Sequence, residues 1–307
     1  VMNSSGTWTI SQSTDVPTGE GFSNSFKFDC TTIDASPNYL FLKHAMEGQM
    51  LQQLKKGTSN AESLTLSFWV KSNLTGTYQV NIRDEDNSRL IGNTYAISSA
   101  DTWEKKTITF SGDTTGALDN DNNTSLYLEW WLDSGSTYNT GSVPTSWESA
   151  SNADRAAGLT VNLADSTDNE WYITGVQLEV GEFDSTTIPS FPFESYASNL
   201  QRCQRYFAKQ SGDNSTILSS GTFYTTNGWL GHLKYTTTMR NAPSLSTSGA
   251  FKIRNASGDS SASSIQISGD GGLDSLSLQA TATGTSGDGG VFRTDPSGGS
   301  LSLDAEL

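Results

Sequence analysis

Cysteine and histidine are nearly missing from this chain, with two of each in 307 residues. Cys30 and Cys203 stand far apart, without the spacing of a metal knuckle or a redox pair. A disulfide between them is not readable from sequence, and two separate buried thiols is the plain expectation. His44 and His232 belong to no HxH, HExxH or Cys-His arrangement able to hold catalytic zinc. There is no GxSxG elbow, no P-loop and no GxGxxG after a strand. The chain is therefore expected not to be an enzyme. Glycoside hydrolysis stays open as the alternative, because it needs only two carboxylates brought together from distant strands.

Long apolar runs are lacking too. None approaches the roughly 20 residues that cross a bilayer as a helix, so no membrane insertion is expected. The opening Val1-Met2-Asn3-Ser4 has neither the basic nor the apolar region of a secretory signal, and an initial Val suggests a processed start. Positive charge is sparse: 18 Lys and Arg against 33 Asp and Glu leave a net charge of -15, with no basic run. A polyphosphate backbone would be repelled by that field, which argues against nucleic acid as a partner.

What is present is strand alternation broken by turn residues. Leu64, Leu66, Phe68 and Val70 share one face while Thr65, Ser67, Trp69 and Lys71 take the other. Tyr78, Val80 and Ile82 repeat the pattern, with Gln79, Asn81 and Arg83 outward, until Asp84-Glu85-Asp86-Asn87 ends the strand. Leu126, Leu128, Trp130 and Leu132 face inward, and Tyr127, Glu129 and Trp131 outward. Across Trp171 to Val180 the phase reverses at Thr174-Gly175, and a one-residue bulge at Gly175 reconciles the two halves. The stretch Ala45 to Lys56 reads either as a short helix or as part of a strand pair broken at Gly48.

A different period follows. Phe193, Tyr196, Leu200, Cys203 and Phe207 recur at three and four, one face of a helix, with Pro189 and Pro192 before it, Glu194 early and Arg202 and Arg205 late. Apolar residues at that spacing are expected to be core. After Lys209 short strands return, separated by Ser, Gly and Asp turns, with Gly-rich tips at 268–272 and 284–290. The expected fold is all-β: a jelly-roll β-sandwich over 1–190, a short connecting helix over 191–209 and a second β-sandwich-like domain over 210–307.

Two sets of residues resemble recurring signatures of bacteriophage virion proteins. One is Gln177-Leu178-Glu179-Val180-Gly181 leading to Cys203-Gln204-Arg205-Tyr206-Phe207; the other is Thr238-Met239-Arg240-Asn241-Ala242-Pro243. The run Leu66-Ser67-Phe68-Trp69-Val70-Lys71, followed by Gly76-Thr77-Tyr78 and Thr102-Trp103-Glu104-Lys105, is similar to the carbohydrate-binding-module-like jelly rolls of tail fibres. The resemblance implies a structural component of the virion. It would be a tail fibre or similar appendage, homotrimeric, assembled without cofactors alongside other virion proteins, and meeting a bacterial surface glycan. A capsid decoration or head fibre protein is the rival within that class. A glycan depolymerase or a free carbohydrate-binding module is the rival outside it.

Glycan binding gives the candidate site. Sugars stack their apolar faces on aromatic rings while carboxylates, amides and Arg bond their hydroxyls. Outward Trp69 and Trp131, with Arg83, Glu129 and Gln177 on the polar phases, are expected to form such a platform, walled by Tyr138 and Trp147. The competing reading buries these aromatics against a neighbouring subunit. Asp119, Asp121 and Asn123 offer oxygen ligands at alternate positions, as a calcium loop would. Thr124 stands where an EF-hand wants Gly, and Trp130 where it wants a bidentate Glu, so a plain polar turn is the competing reading.

Overall fold

The structure is a computed structural model that describes residues 1–306 apart from 214 and 270. The chain is all-β and divides into two compact units, Val1–Pro192 and Phe193–Leu307.

The first unit contains β1 (Met2–Asn3), β2 (Thr7–Ser13), β3 (Ser25–Thr32), β4 (Tyr39–Glu47), β5 (Leu64–Ser72), β6 (Gly76–Asp84), β7 (Arg89–Ile97), β8 (Glu104–Phe110), β9 (Thr124–Ser134), α1 (Ser136–Asn139), β10 (Glu148–Ser149) and β11 (Glu170–Val180). They form two antiparallel sheets, a front sheet in the order β1-β4-β9-β6-β7-β10 and a back sheet in the order β2-β3-β11-β5-β8. Period-two alternation explains the core between them. Leu66, Phe68 and Val70 of β5 meet Tyr78, Val80 and Ile82 of β6 and Leu126, Leu128 and Trp130 of β9, all buried. Phe68 stands edge-on to Trp130 with ring centroids 5.9 Å apart.

Two local readings resolve here. The Ala45–Lys56 stretch finishes β4 at Glu47 and then makes two single 3-10 turns, Gly48–Met50 and Gln52–Leu54, instead of an α-helix. On β11 the register against β5 advances by one extra residue between Thr174 and Gln177. Gly175 sits in that bulge at φ +60°, where a Cβ would stand 2.5 Å from the Phe22 ring.

The second unit begins with α2 (Tyr196–Gln204) and continues through β12 (Phe207–Gly212), β13 (Ile217–Thr225), β14 (Gly228–Lys234), β15 (Ser244–Asn255), β16 (Gly258–Ile267), β17 (Ser275–Thr281) and β18 (Gly289–Asp304). These strands make one sheet in the order β12-β18-β13-β14-β17-β16-β15, closed by a further pairing of β15 with β18. The sandwich-like expectation thus takes the form of a single sheet wrapped on itself, whose opposite walls bury Trp229, Phe251, Ile253, Leu278, Phe292 and Leu301. β18 serves two neighbours in turn: its first half pairs with β13 and its second with β12, while β15 follows both. Met239 is buried here, as its motif suggests. Of the Gly-rich stretch 268–272, residue 270 lies outside the described residues.

The helix departs from expectation. Ser195 caps α2 by accepting from the Ser198 amide, and Glu194 bonds Asn199 and Arg202, as the charge order implies. The helix is shorter than the expected 191–209, with Phe193 before it and Phe207 already in β12, and the apolar residues expected to be core are exposed, Phe193 by 59% and Tyr196 by 82%. Cys203 lies on the same helix, and it too is exposed, so only Cys30 fits the expected pair of buried thiols; both are free.

Candidate functional site

On a two-layer sandwich the outward residues of a strand normally face water. On the front sheet they do not. Gln79, Asn81, Glu129, Trp131 and Asp133 all point away from the sandwich core and are nevertheless fully buried. The reason is the irregular segment 135–164, which returns across the sheet and takes hydrogen bonds from these side chains.

The Gln79 amide donates to the Asp154 carbonyl and accepts from the Gly158 amide, both at 2.8 Å. Asn81 donates to the Arg155 carbonyl at 2.7 Å, and Asp133 accepts from the Ala164 amide at 2.9 Å. Buried polar groups must be paired, so an outward row of amides and carboxylates works as a template for an overlying backbone. With no countercharge beside it, Asp133 has its carboxyl pushed up to about 6 by burial.

Arg155, which carries no signal in sequence because its segment has no periodicity, is the centre of the covering layer. Its guanidinium grips Glu129 through two hydrogen bonds, at 2.7 and 3.1 Å, and lies over the rings of Phe41, Trp131 and Tyr138 at 4.9 to 5.4 Å. Phe41 and Trp131 stack on each other at 4.5 Å, and the Trp131 indole donates to Glu129. Trp131 and Glu129 are therefore no open platform, and the expectation that they face outward to a ligand is corrected: they form a sealed aromatic and ionic layer.

Beside this layer a hollow of about 240 Å³ stays open, lined by Tyr39, Lys43, Arg83, Glu85, Tyr127 and Tyr138, with Glu129 and Arg155 at its base. Three of the expected residues, Arg83, Glu129 and Tyr138, meet here with Trp131 behind them. The others go elsewhere. Trp69 and Gln177 belong to the back sheet, where Gln177 is buried and bonds Glu179 and the Pro189 carbonyl. Trp147 donates to the Ser111 carbonyl and covers the Lys56 ammonium at 5.2 Å. That ammonium is buried among four oxygens, those of Asp84, Asp113 and the Thr115 and Gly116 carbonyls, at 2.5 to 3.0 Å. Burial resists ionisation of Asp113, but Arg89 and Lys56 outweigh it and hold the carboxyl below its ordinary value.

Lys43 and Tyr127 complete the hollow. Their positions were available from alternation on β4 and β9, where Lys43 stands opposite Glu129 and Tyr127 opposite Ala45. The Lys43 ammonium sits 4.1 Å from the Tyr127 ring centroid. In the candidate calcium loop the Asp121 carboxylate accepts from the Asn123 backbone and side-chain amides and so closes a turn, while the Asp119 backbone amide donates to the Asp86 carboxylate of the β6–β7 turn. Among the described residues no three His, Cys, Asp or Glu side chains converge to hold a metal ion, and no helix is long and apolar enough to cross a membrane. A larger hollow in the second unit, about 550 Å³, is lined by Ser and Gly with Asp213 and offers no aromatic surface.

No family model and no curated protein matches the sequence. Among solved structures the chain is similar to the enzymatically active domain of bacteriophage CBA120 tailspike protein 4, at 15% identity and TM-score 0.31, over 56% of this chain. The chain spans only 18% of that protein. It is also similar to a carbohydrate-binding module, CBM4 (12% identity, TM-score 0.28, 55% of this chain and 87% of that one). A third likeness is to a proposed sugar-binding protein from Bacteroides thetaiotaomicron (12% identity, TM-score 0.29, 57% and 83%). All three are loose likenesses, and the functional reading rests on the side chains of the site itself.

Proposed function

We propose that the first unit binds glycan without turning it over, and that the chain is a structural component of a bacteriophage particle, a tail fibre or similar appendage that meets the host surface. One observation carries the binding reading: the front-sheet hollow sets tyrosines beside charged groups in a pocket with a rigid floor. Rings offer contact area to a sugar face, and charged groups bond its hydroxyls. At about 240 Å³ the hollow is smaller than the roughly 300–1,000 Å³ of drug-sized pockets, so it suits one ring-sized unit of a longer chain.

Binding is favoured over hydrolysis because the carboxylate at the base is spoken for. Glu129 accepts from Arg155 on both of its oxygens and from Trp131 on one of them, so both oxygens are engaged by protein donors. The particle assignment is supported by the virion-like segments around Gln177–Gly181, Cys203–Phe207 and Thr238–Pro243. A homotrimer is supported by the exposed apolar stripe of α2, since such surface marks an interface. Three copies of a weak site on one appendage raise apparent affinity for a repetitive surface.

The test is a glycan array probed with the intact chain, with its solution mass measured by light scattering. Retention on bacterial surface glycans and a trimer mass are expected. A blank array would sink the binding reading, and a monomer would sink the self-assembling fibre.

A further inference from the structure

We infer that the front-sheet hollow is specific for an acidic sugar, a uronic-acid residue whose carboxylate is bound by Lys43 and Arg83. This rests on the glycan-binding reading above and narrows it.

The charges around the hollow are unbalanced in a telling direction. Three cations, Lys43, Arg83 and Arg155, line it with two carboxylates, Glu85 and Glu129, on a chain whose net charge is -15. Glu129 is consumed by Arg155. Arg83 makes no hydrogen bond among the described residues; its one ion pair is a 3.3 Å contact with half-exposed Glu85, and its Nε is buried without a partner. A guanidinium has five donors in a planar fork suited to a carboxylate, so most of that capacity is unused. Among the described residues the Lys43 ammonium has no ion pair, only the Tyr127 ring. Burial pulls its basicity below the ordinary lysine value, and Glu129 and Glu85 offset this only in part.

Tyr127 is covered by Lys43, while Phe41 and Trp131 are stacked together under Arg155. Tyr39 and Tyr138 meet edge to face at 5.7 Å and form the wall. The partly exposed rings of Tyr39 and Tyr138 serve a sugar of either kind, and an anionic one would in addition supply the countercharge that Lys43 lacks and that Arg83 draws only from Glu85.

The experiment is calorimetric titration of the intact chain with oligomers of glucuronate, galacturonate and mannuronate. Their carboxyl-reduced counterparts, with glucose, galactose and mannose stereochemistry, serve as matched neutral probes. At least one acidic oligomer is expected to bind about tenfold more tightly than its reduced partner, on the order of 1.4 kcal/mol. The preference should shrink as salt is raised. Lys43→Met should remove the preference by weakening the acidic oligomer about tenfold more than its neutral partner, Lys43→Arg should restore it, and Lys55→Met, in an exposed turn paired with Glu62, should leave it as it was. Equal affinity within every pair, or equal loss for both members in Lys43→Met, overturns the acidic specificity while glycan binding stands. No binding of any probe, with a blank array, overturns both.

Discussion

A buried carboxylate needs a cation, a set of N–H donors or a proton, and two neighbours on β9 answer differently. Glu129 takes the cation: cutting away Arg155 leaves its charge buried with only the Trp131 indole as donor and unpins the covering segment. Arg155→Ala is expected to lower stability by about 3–5 kcal/mol in urea unfolding, with the Glu129→Ala, Arg155→Ala double variant losing less than the sum of the singles. Asp133 takes a backbone N–H and, at low pH, a proton. Its folded pKa of about 6 stands above the ordinary value of 3.8. Its contribution to stability is therefore complete below about pH 4 and is lost as pH rises through 6, a deficit on the order of 3 kcal/mol at neutral pH. Asp133→Asn, which keeps an acceptor for Ala164, should raise the urea midpoint at pH 7.5 and leave it unchanged at pH 4.

At the scale of elements, the bulge in β11 shows how much can be read from a pattern. Trp171 and Ile173 on one phase and Leu178 on the other force an extra residue between them, and a glycine stands where the backbone must turn left-handed. Gly175→Val should cost well over the roughly 1–2 kcal/mol of an unfavourable φ, because its side chain would also meet Phe22. Thermal melting of the variant checks this. Strands β5, β6 and β9 were legible for the same reason: each keeps one apolar face. What covers the other face of β6 and β9 was not, because the segment 135–164 binds through its own carbonyls and amides, which every residue has and no sequence advertises. Hence Glu129 and Trp131 read as solvent-facing when they are sealed, and Arg155, Phe41 and Lys43 went unread. Alternation cannot separate water from a covering backbone, since both are satisfied by polar side chains.

For the whole molecule, Tyr196 and Leu200 of α2 stand out as exposed apolar side chains. Serine at Tyr196 and Leu200 removes apolar area that contributes nothing to either core. The doubly substituted chain is expected to melt at the unaltered temperature of each unit but to sediment as a monomer, whereas a trimer retained by the variant would move the interface elsewhere. The helix was found by its period, yet its exposure was not, because period three-to-four marks a face that must be covered without saying which surface covers it.

The wrapped sheet of the second unit has one property that reaches beyond packing. Phe207 opens its first strand and lies directly opposite Asp304 in its last, so the path through the barrel starts and finishes one strand spacing apart, about 4.8 Å. A part built that way is a cassette. Any other module with neighbouring ends can take its place without re-routing the chain that leads into it.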